Sequence, residues 1–190
     1  GKKGVVVAGT HGKTTTSALA AHVLKVGAKN PSHYVGAEIP ILGRNANWDE
    51  KGEYFVAEGD ESDGTLVNFH PEHAILLNVE AEHLDFYDGL DAICEVFGTF
   101  CDQTNGKIFY CGDDEHAERV CGERENAVSY GWREGLNFTA SDLSPKGAGT
   151  EFTVKKDGEE LGRVRLGIPG RHNVLNALAV IALCIELEVS

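Results

Sequence analysis

The chain reads as an α/β fold, a mostly parallel sheet flanked by helices, with a small antiparallel β patch near residues 137–166. Three observations predict it. Up to Gly131, short apolar runs alternate with stretches of helical spacing, and strands alternating with helices imply parallel pairing through right-handed crossovers. The first run, Val5-Val6-Val7-Ala8, is apolar throughout, as a buried strand is. From Asn137 to Arg165 the pattern changes to short β-like runs (LNFTA, EFTVKK, RVRLG) separated by Gly, Pro and Asp turns.

Taken in order, Lys3 to Ala8 is a strand, and Lys13 to Val26 is a helix with apolar residues at helical spacing. Gly27 ends that helix and Pro31 follows. Glu53 to Glu58 and His73 to Val79 are two further strands, each finishing in polar residues. Leu90 to Phe100 has helical periodicity, Lys107 to Cys111 is a strand, and Asp114 to Val120 suits a short helix. Ala127 to Gly131 is another strand. Lys156-Asp157-Gly158 marks a turn within the antiparallel patch, and Asn173 to Leu187 closes the chain as an apolar helix. There is no internal repeat, low-complexity segment or evident linker.

With 190 residues, 42% of them apolar, the chain can bury one sizeable core. A net charge of −13 argues against nucleic-acid and anionic-membrane partners, so phosphate chemistry here needs local cations. No stretch approaches a membrane span. Five cysteines, odd in number and without a CxxC pair, suit free, mostly buried thiols in a reducing cytoplasmic setting. The chain lacks methionine and begins at Gly1 on the threshold of a strand, so it is expected to be a piece of a longer protein.

Ligands of such sheets bind beyond the carboxyl ends of the strands. Four stretches fall at those positions. Gly9-Thr10-His11-Gly12-Lys13-Thr14-Thr15 follows the first strand and opens the first helix. Glycines let backbone N–H groups approach phosphate oxygens, and the helix N-terminus favours an anion. Lys13 supplies a point charge, and the Thr14 hydroxyl is placed to ligate Mg²⁺. The spacing is unusual: two residues separate Gly9 from Gly12 where the common pattern has four, and Val7 stands where its glycine belongs.

Glu58-Gly59-Asp60-Glu61-Ser62-Asp63 places four carboxylates where a strand ends. A solvated acidic turn is the plain alternative. The position beside the phosphate loop favours at least one metal ligand, Glu58 first. Asn78 to Asp85 carries His83 between acids, suited to a second metal or a carboxylate substrate, although lone histidines are commonly surface residues. Asn173 and Asn176 sit three apart on the first turn of the last helix. Their amides suit the N6/N7 edge of adenine, and an Asn cap followed by a surface Asn fits equally well.

In this order, GTHGKTTT, VAEGDESDGT, LLNVEAEHLDFY and GRHNVLNALAVIA resemble the Mur ligase superfamily. These are ATP-dependent, amide-bond-forming enzymes of bacterial cell-wall synthesis. The resemblance covers nearly the whole chain and is strongest to the central ATPase domain of the alanine-adding branch, whose phosphate loop has the same shortened form. It implies a P-loop sheet that binds ATP and Mg²⁺. Gly9, Thr10, His11, Gly12, Lys13, Thr14, Thr15, Asn173 and Asn176 would contact the nucleotide, Asn176 its adenine. Thr14 and Glu58 would hold one Mg²⁺. His83 would serve a second near the substrate carboxylate, with Asn78 close by. Lys13, Glu58 and His83 would carry the catalysis, and Lys13→Ala would abolish turnover with folding intact.

The implied substrates of the whole enzyme are UDP-N-acetylmuramate and L-alanine, joined through an acyl phosphate. Sister ligases carry a carbamylated lysine about fifteen residues after the histidine, where this chain has Gly98 and no lysine from Leu90 to Phe100. That favours the alanine-adding branch or the murein tripeptide recycling ligase. The latter tends to have tyrosine for Ser62 and Asp-His-Ala-Asp for Glu82-His83-Leu84-Asp85. Glu82 also departs from the aspartate that the alanine-adding branch more often has. A non-ligating P-loop module is the alternative from another class. The N-terminal UDP-binding and C-terminal amino-acid-binding domains do not fit in the chain, so the isolated piece is expected not to ligate.

Overall fold

The structure is a computed structural model that describes residues 1–189. Ten strands form one sheet: β1 (Lys3–Ala8), β2 (Ser32–Tyr34), β3 (Ala46–Asn47), β4 (Tyr54–Glu58), β5 (His73–Leu76), β6 (Ile108–Cys111), β7 (Ala127–Gly131), β8 (Phe138–Lys146), β9 (Gly149–Lys156) and β10 (Glu159–Leu166). Their order across the sheet is β10-β9-β8-β7-β6-β5-β1-β4-β2-β3. The body from β2 to β8 is parallel, and β8-β9-β10 is the expected antiparallel patch, joined directly to the body through β7 and β8. Its last turn has Asp157 and Gly158 both at positive φ, the combination a two-residue hairpin turn requires.

Four helices cover the sheet: α1 (Lys13–Val26), α2 (Leu90–Asp102), α3 (Glu115–Cys121) and α4 (Arg171–Glu186). Side chains along a strand point to alternate faces. In β1, Val5 and Val7 enter one core with Ala20 and Leu24 of α1 and Leu178 of α4. Val6 and Ala8 enter the other with Ile93 and Phe97 of α2 and Ala117 of α3. Both faces being covered explains why β1 is apolar without alternation. Each fully buried Val, Leu or Phe contributes about 1.5–3 kcal/mol over its exposed form. All five cysteines are buried and free. Among the described residues, no helix is long and apolar enough to cross a membrane.

One expectation needs correction, and two features were unforeseen. The strand from His73 stops at Leu76 rather than Val79, because Asn78 turns out of the ladder to bind the loop after β1. Strands β2 and β3, unpredicted, complete the sheet beyond β4; at three and two residues they carry no readable alternation. A 3₁₀ turn, Thr65–Asn68, also escaped prediction.

Strand β1 lies between β4 and β5, with Val7 level with Glu58 and Ala8 level with Leu76. The segments after these three strands therefore leave the sheet side by side, as the sequence predicts for a parallel sheet with its ligand site at one edge.

Candidate nucleotide and metal site

The loop between β1 and α1 turns on two glycines, Gly9 at φ +135° and Gly12 at φ +89°. A Cβ on Gly9 would lie 3.0 Å from the Asn78 carbonyl oxygen, and one on Gly12 would lie 3.1 Å from Asn176 Oδ1. Both positions need the missing side chain. Asn78 braces the loop: its Oδ1 accepts from His11 N at 2.7 Å and its Nδ2 donates to His11 O at 3.0 Å. Its carbonyl also accepts from Thr10 N at 3.1 Å. Thr10 Oγ1 in turn accepts from Glu80 N at 2.9 Å.

Helix α1 begins with no side-chain cap and no acid in its first turn. Its first N–H groups are thus left for an external anion. Lys13 is the first residue of that turn, where the helix dipole disfavours a cation. Its ammonium is held by protein oxygens: 2.6 Å to Gly9 O, 2.9 Å to Glu61 Oε2 and 3.1 Å to Glu61 Oε1. The Glu61 side chain is 3% exposed and that of Lys13 18%. Tyr87 supports this corner by donating its hydroxyl to the Glu61 carbonyl; burial, then the Glu61 charge, raises its phenol pKa.

Glu58, the last residue of β4, accepts three hydrogen bonds. Thr14 Oγ1 donates to Oε2 at 3.0 Å, and Oε1 takes Ser17 Oγ at 3.1 Å and Gly36 N at 2.6 Å. Neighbouring ligands in an Mg²⁺ octahedron of 2.0–2.1 Å bonds stand about 2.9 Å apart. The Thr14 hydroxyl and Glu58 carboxylate, hard oxygen donors 3.0 Å apart, therefore fit such an ion.

A cavity of about 470 Å³ opens beside the loop, within the range of small-molecule sites. His11, Gly12, Asn78, Tyr130, His172 and Asn176 are among its walls. Cys111 is another, its thiol pushed up to about 11 by burial and so protonated at neutral pH. At the start of α4, Arg171 stacks on Trp132 at 4.2 Å from the ring centroid.

The fold thus gathers Gly9, Thr10, His11, Gly12, Lys13, Thr14, Glu58, Asn78 and Asn176 at one edge of the sheet. Asn173 donates Nδ2 to Pro169 O at 2.7 Å, locking the turn before α4. Thr15 faces away, into an apolar groove with Leu19, Ile39, Ile41 and Ile168. His83 is exposed, at φ +54°, and among the described residues no hydrogen bond or ion pair links its ring to this group. Nor do three His, Cys, Asp or Glu side chains converge on a metal position there. Sequence reasoning missed Ser17, Gly36 and His172. Ser17 was findable, since three residues after Thr14 on a helix is the same face.

The family model described as Mur ligase middle domain matches residues 7–184. The UDP-N-acetylmuramate–L-alanine ligase of Geobacter sp. (strain M21) is 38% identical over 191 residues, covering 99% of this chain and 41% of that protein. That of Syntrophotalea carbinolica is 39% identical over 194 residues, with 99% and 42% covered. The chain thus spans about two-fifths of the length of these relatives. Among solved structures, the UDP-N-acetylmuramate-alanine ligase MurC of Thermotoga maritima aligns with a TM-score of 0.86 at 32% identity, covering 98% of this chain and 42% of that one. The UDP-N-acetylmuramate:L-alanyl-gamma-D-glutamyl-meso-diaminopimelate ligase (MPL) of Neisseria meningitides gives 0.89 at 29% identity, with 99% and 62% covered. Agreement in sequence and in fold runs from end to end, and the chain belongs to the Mur ligase family, as a middle domain of the MurC-like kind.

Proposed function

We propose that the chain is the ATP-binding catalytic domain of a cytoplasmic peptidoglycan ligase that joins L-alanine to UDP-N-acetylmuramate. The observation that carries this reading is the Thr14–Glu58 oxygen pair beside an uncapped helix N-terminus and Lys13. A carboxylate attacking a γ-phosphate brings two anions together, so the barrier is largely electrostatic. Lys13 neutralises the β- and γ-phosphates and the α1 N-terminus orients them. Glu58 and Thr14 would hold Mg²⁺, which when bound would offset charge on the same phosphates. Asn176 orients the adenine in the 470 Å³ cavity, while Asn173, on the side of the apolar groove, locks the turn before α4 through Pro169. His83 is assigned to the substrate side, with a second Mg²⁺, on the family pattern.

The lactyl carboxylate of UDP-N-acetylmuramate attacks the γ-phosphorus and ADP leaves, giving an acyl phosphate. The alanine amine then adds to the acyl carbon. The tetrahedral intermediate expels phosphate, and the nitrogen loses a proton to solvent as the amide forms. The chain spans about two-fifths of its relatives' length, and on this reading a UDP-binding domain and an amino-acid-binding domain complete the enzyme, so the 190 residues alone do not ligate.

The higher TM-score with the Neisseria enzyme favours a second reading, recycling of murein tripeptide. One assay separates the two: phosphate release by the complete protein with ATP and UDP-N-acetylmuramate, supplied with L-alanine or with L-Ala-γ-D-Glu-meso-diaminopimelate. Turnover with L-alanine supports the first reading, and turnover with the tripeptide replaces it by the second. ATP-independent or absent turnover with both removes both. Ligation by the 190 residues alone would overturn the domain assignment.

A further inference from the structure

Glu61 has no part in the chemistry above, yet it is the most deeply buried carboxylate at the site, 2% exposed as a whole residue. An ammonium has three donors. Those of Lys13 are taken up by Gly9 O and the two Glu61 oxygens, with Thr10 O a further, shared acceptor at 3.4 Å. A lysine in this state has no donor left for a phosphate. We infer that Glu61 is a positioning residue that acts through Lys13 as an internal stand-in for the terminal phosphates, occupying the ammonium in the free protein and competing with nucleotide for it. This rests on the reading of the Gly9–Thr15 loop as the phosphate site.

Charge and geometry carry the inference together. Lys13 opens a helix whose dipole disfavours a cation, in a turn that holds no acid of its own. The compensating anion comes instead from the segment after β4, 48 residues away. When a triphosphate enters, two courses are open. The ammonium can turn outward, leaving a buried carboxylate unpaired, or it can be shared between the carboxylate and the phosphates. The first costs the desolvation of a lone charge and the second sets two anions against each other. Either way the Glu61 charge weakens the hold on phosphate. The same opposition favours release of ADP after transfer, since the carboxylate regains the ammonium as the phosphates depart.

The test is Glu61→Gln in the protein expressed from its complete reading frame. Binding of ATP, ADP, inorganic tripolyphosphate and adenosine is measured by calorimetry at fixed Mg²⁺ and salt. Glutamine keeps the shape and one oxygen acceptor for Lys13 while removing the charge. The expected result is about tenfold tighter binding of the three phosphate ligands, with adenosine unchanged. A merely structural role would weaken all of the ligands together. Equal or weaker phosphate binding by folded E61Q, beside a wild type that binds, overturns the stand-in role alone. Absence of phosphate binding in wild type and variant overturns the phosphate-loop reading and this inference with it. Should E61Q fail to fold, Glu61→Asp decides in the same manner. Its carboxylate is drawn back by one methylene, so a smaller tightening is expected, and none refutes the competition.

Discussion

Thr14 Oγ1 donates to Glu58 Oε2 across 3.0 Å, joining the first turn of α1 to the last residue of β4. Forty-four residues separate them in the chain, and the parallel β1–β4 register that sets Val7 beside Glu58 brings them together. If this pair holds Mg²⁺, Glu58→Gln removes the charge while keeping the shape. Mg²⁺-supported ATP binding should then weaken by about tenfold or more, with Thr14→Val showing a smaller loss. Titrating Mg²⁺ into enzyme and ATP checks this, and an unchanged Mg²⁺ dependence in E58Q removes Glu58 from the metal.

Lys13→Ala should abolish ATP-dependent turnover, and the Lys13–Glu61 pair predicts a loss of stability beside it. The variant leaves the Glu61 carboxylate buried without its partner. Removing one member of a buried pair costs about 3–5 kcal/mol. Urea denaturation should show that loss in K13A and much of it recovered in K13A/E61A. K13A as stable as wild type would mean that Glu61 finds another partner or water.

Gly12→Ala tests the loop geometry. Its φ of +89° strains any side chain, and the new methyl would press on Asn176 Oδ1. A left-handed conformation costs an L-residue about 1–2 kcal/mol. Stability should fall by that amount while ATP binding falls further, because the methyl enters the cavity wall. Unimpaired ATP affinity in a folded G12A would place the nucleotide elsewhere.

His73 sets a pH dependence far from the site. Burial holds its imidazole below the ordinary value of 6.5, and Nδ1 accepts from Lys107 N at 3.1 Å, a bond only the neutral ring can make. Below pH 6.5 the unfolded chain binds a proton that the folded one resists. The stabilisation is therefore full above 6.5 and lost as pH falls through the folded pKa. Urea midpoints should decline with acid in that window for wild type, and the decline should be shallower in His73→Gln. Parallel pH profiles would remove His73 as its source.

Much of this was legible in the residues. Val5 to Ala8, Leu90 to Phe100 and Ala127 to Gly131 announce their elements because local spacing and burial agree. Ser32–Tyr34 does not, since three residues have no period and exist as a strand only because β4 offers an edge. Within the site, Gly9, Gly12, Lys13, Thr14 and Glu58 follow from composition at strand ends. The two asparagines divide: Asn176 faces Gly12, while Asn173 turns back to Pro169.

By itself, then, the sequence determined the α/β order and the family, and singled out the loop proposed to meet phosphate, because these depend on local pattern and on motifs contiguous in the chain. Only the tertiary structure decided that Asn78 braces the loop, that Ser17 and Gly36 share Glu58, and that Lys13 is already paired with Glu61. Those contacts span tens of residues and depend on strand register and burial. A carboxylate in an acidic run looks the same on paper whether it faces water or a buried ammonium.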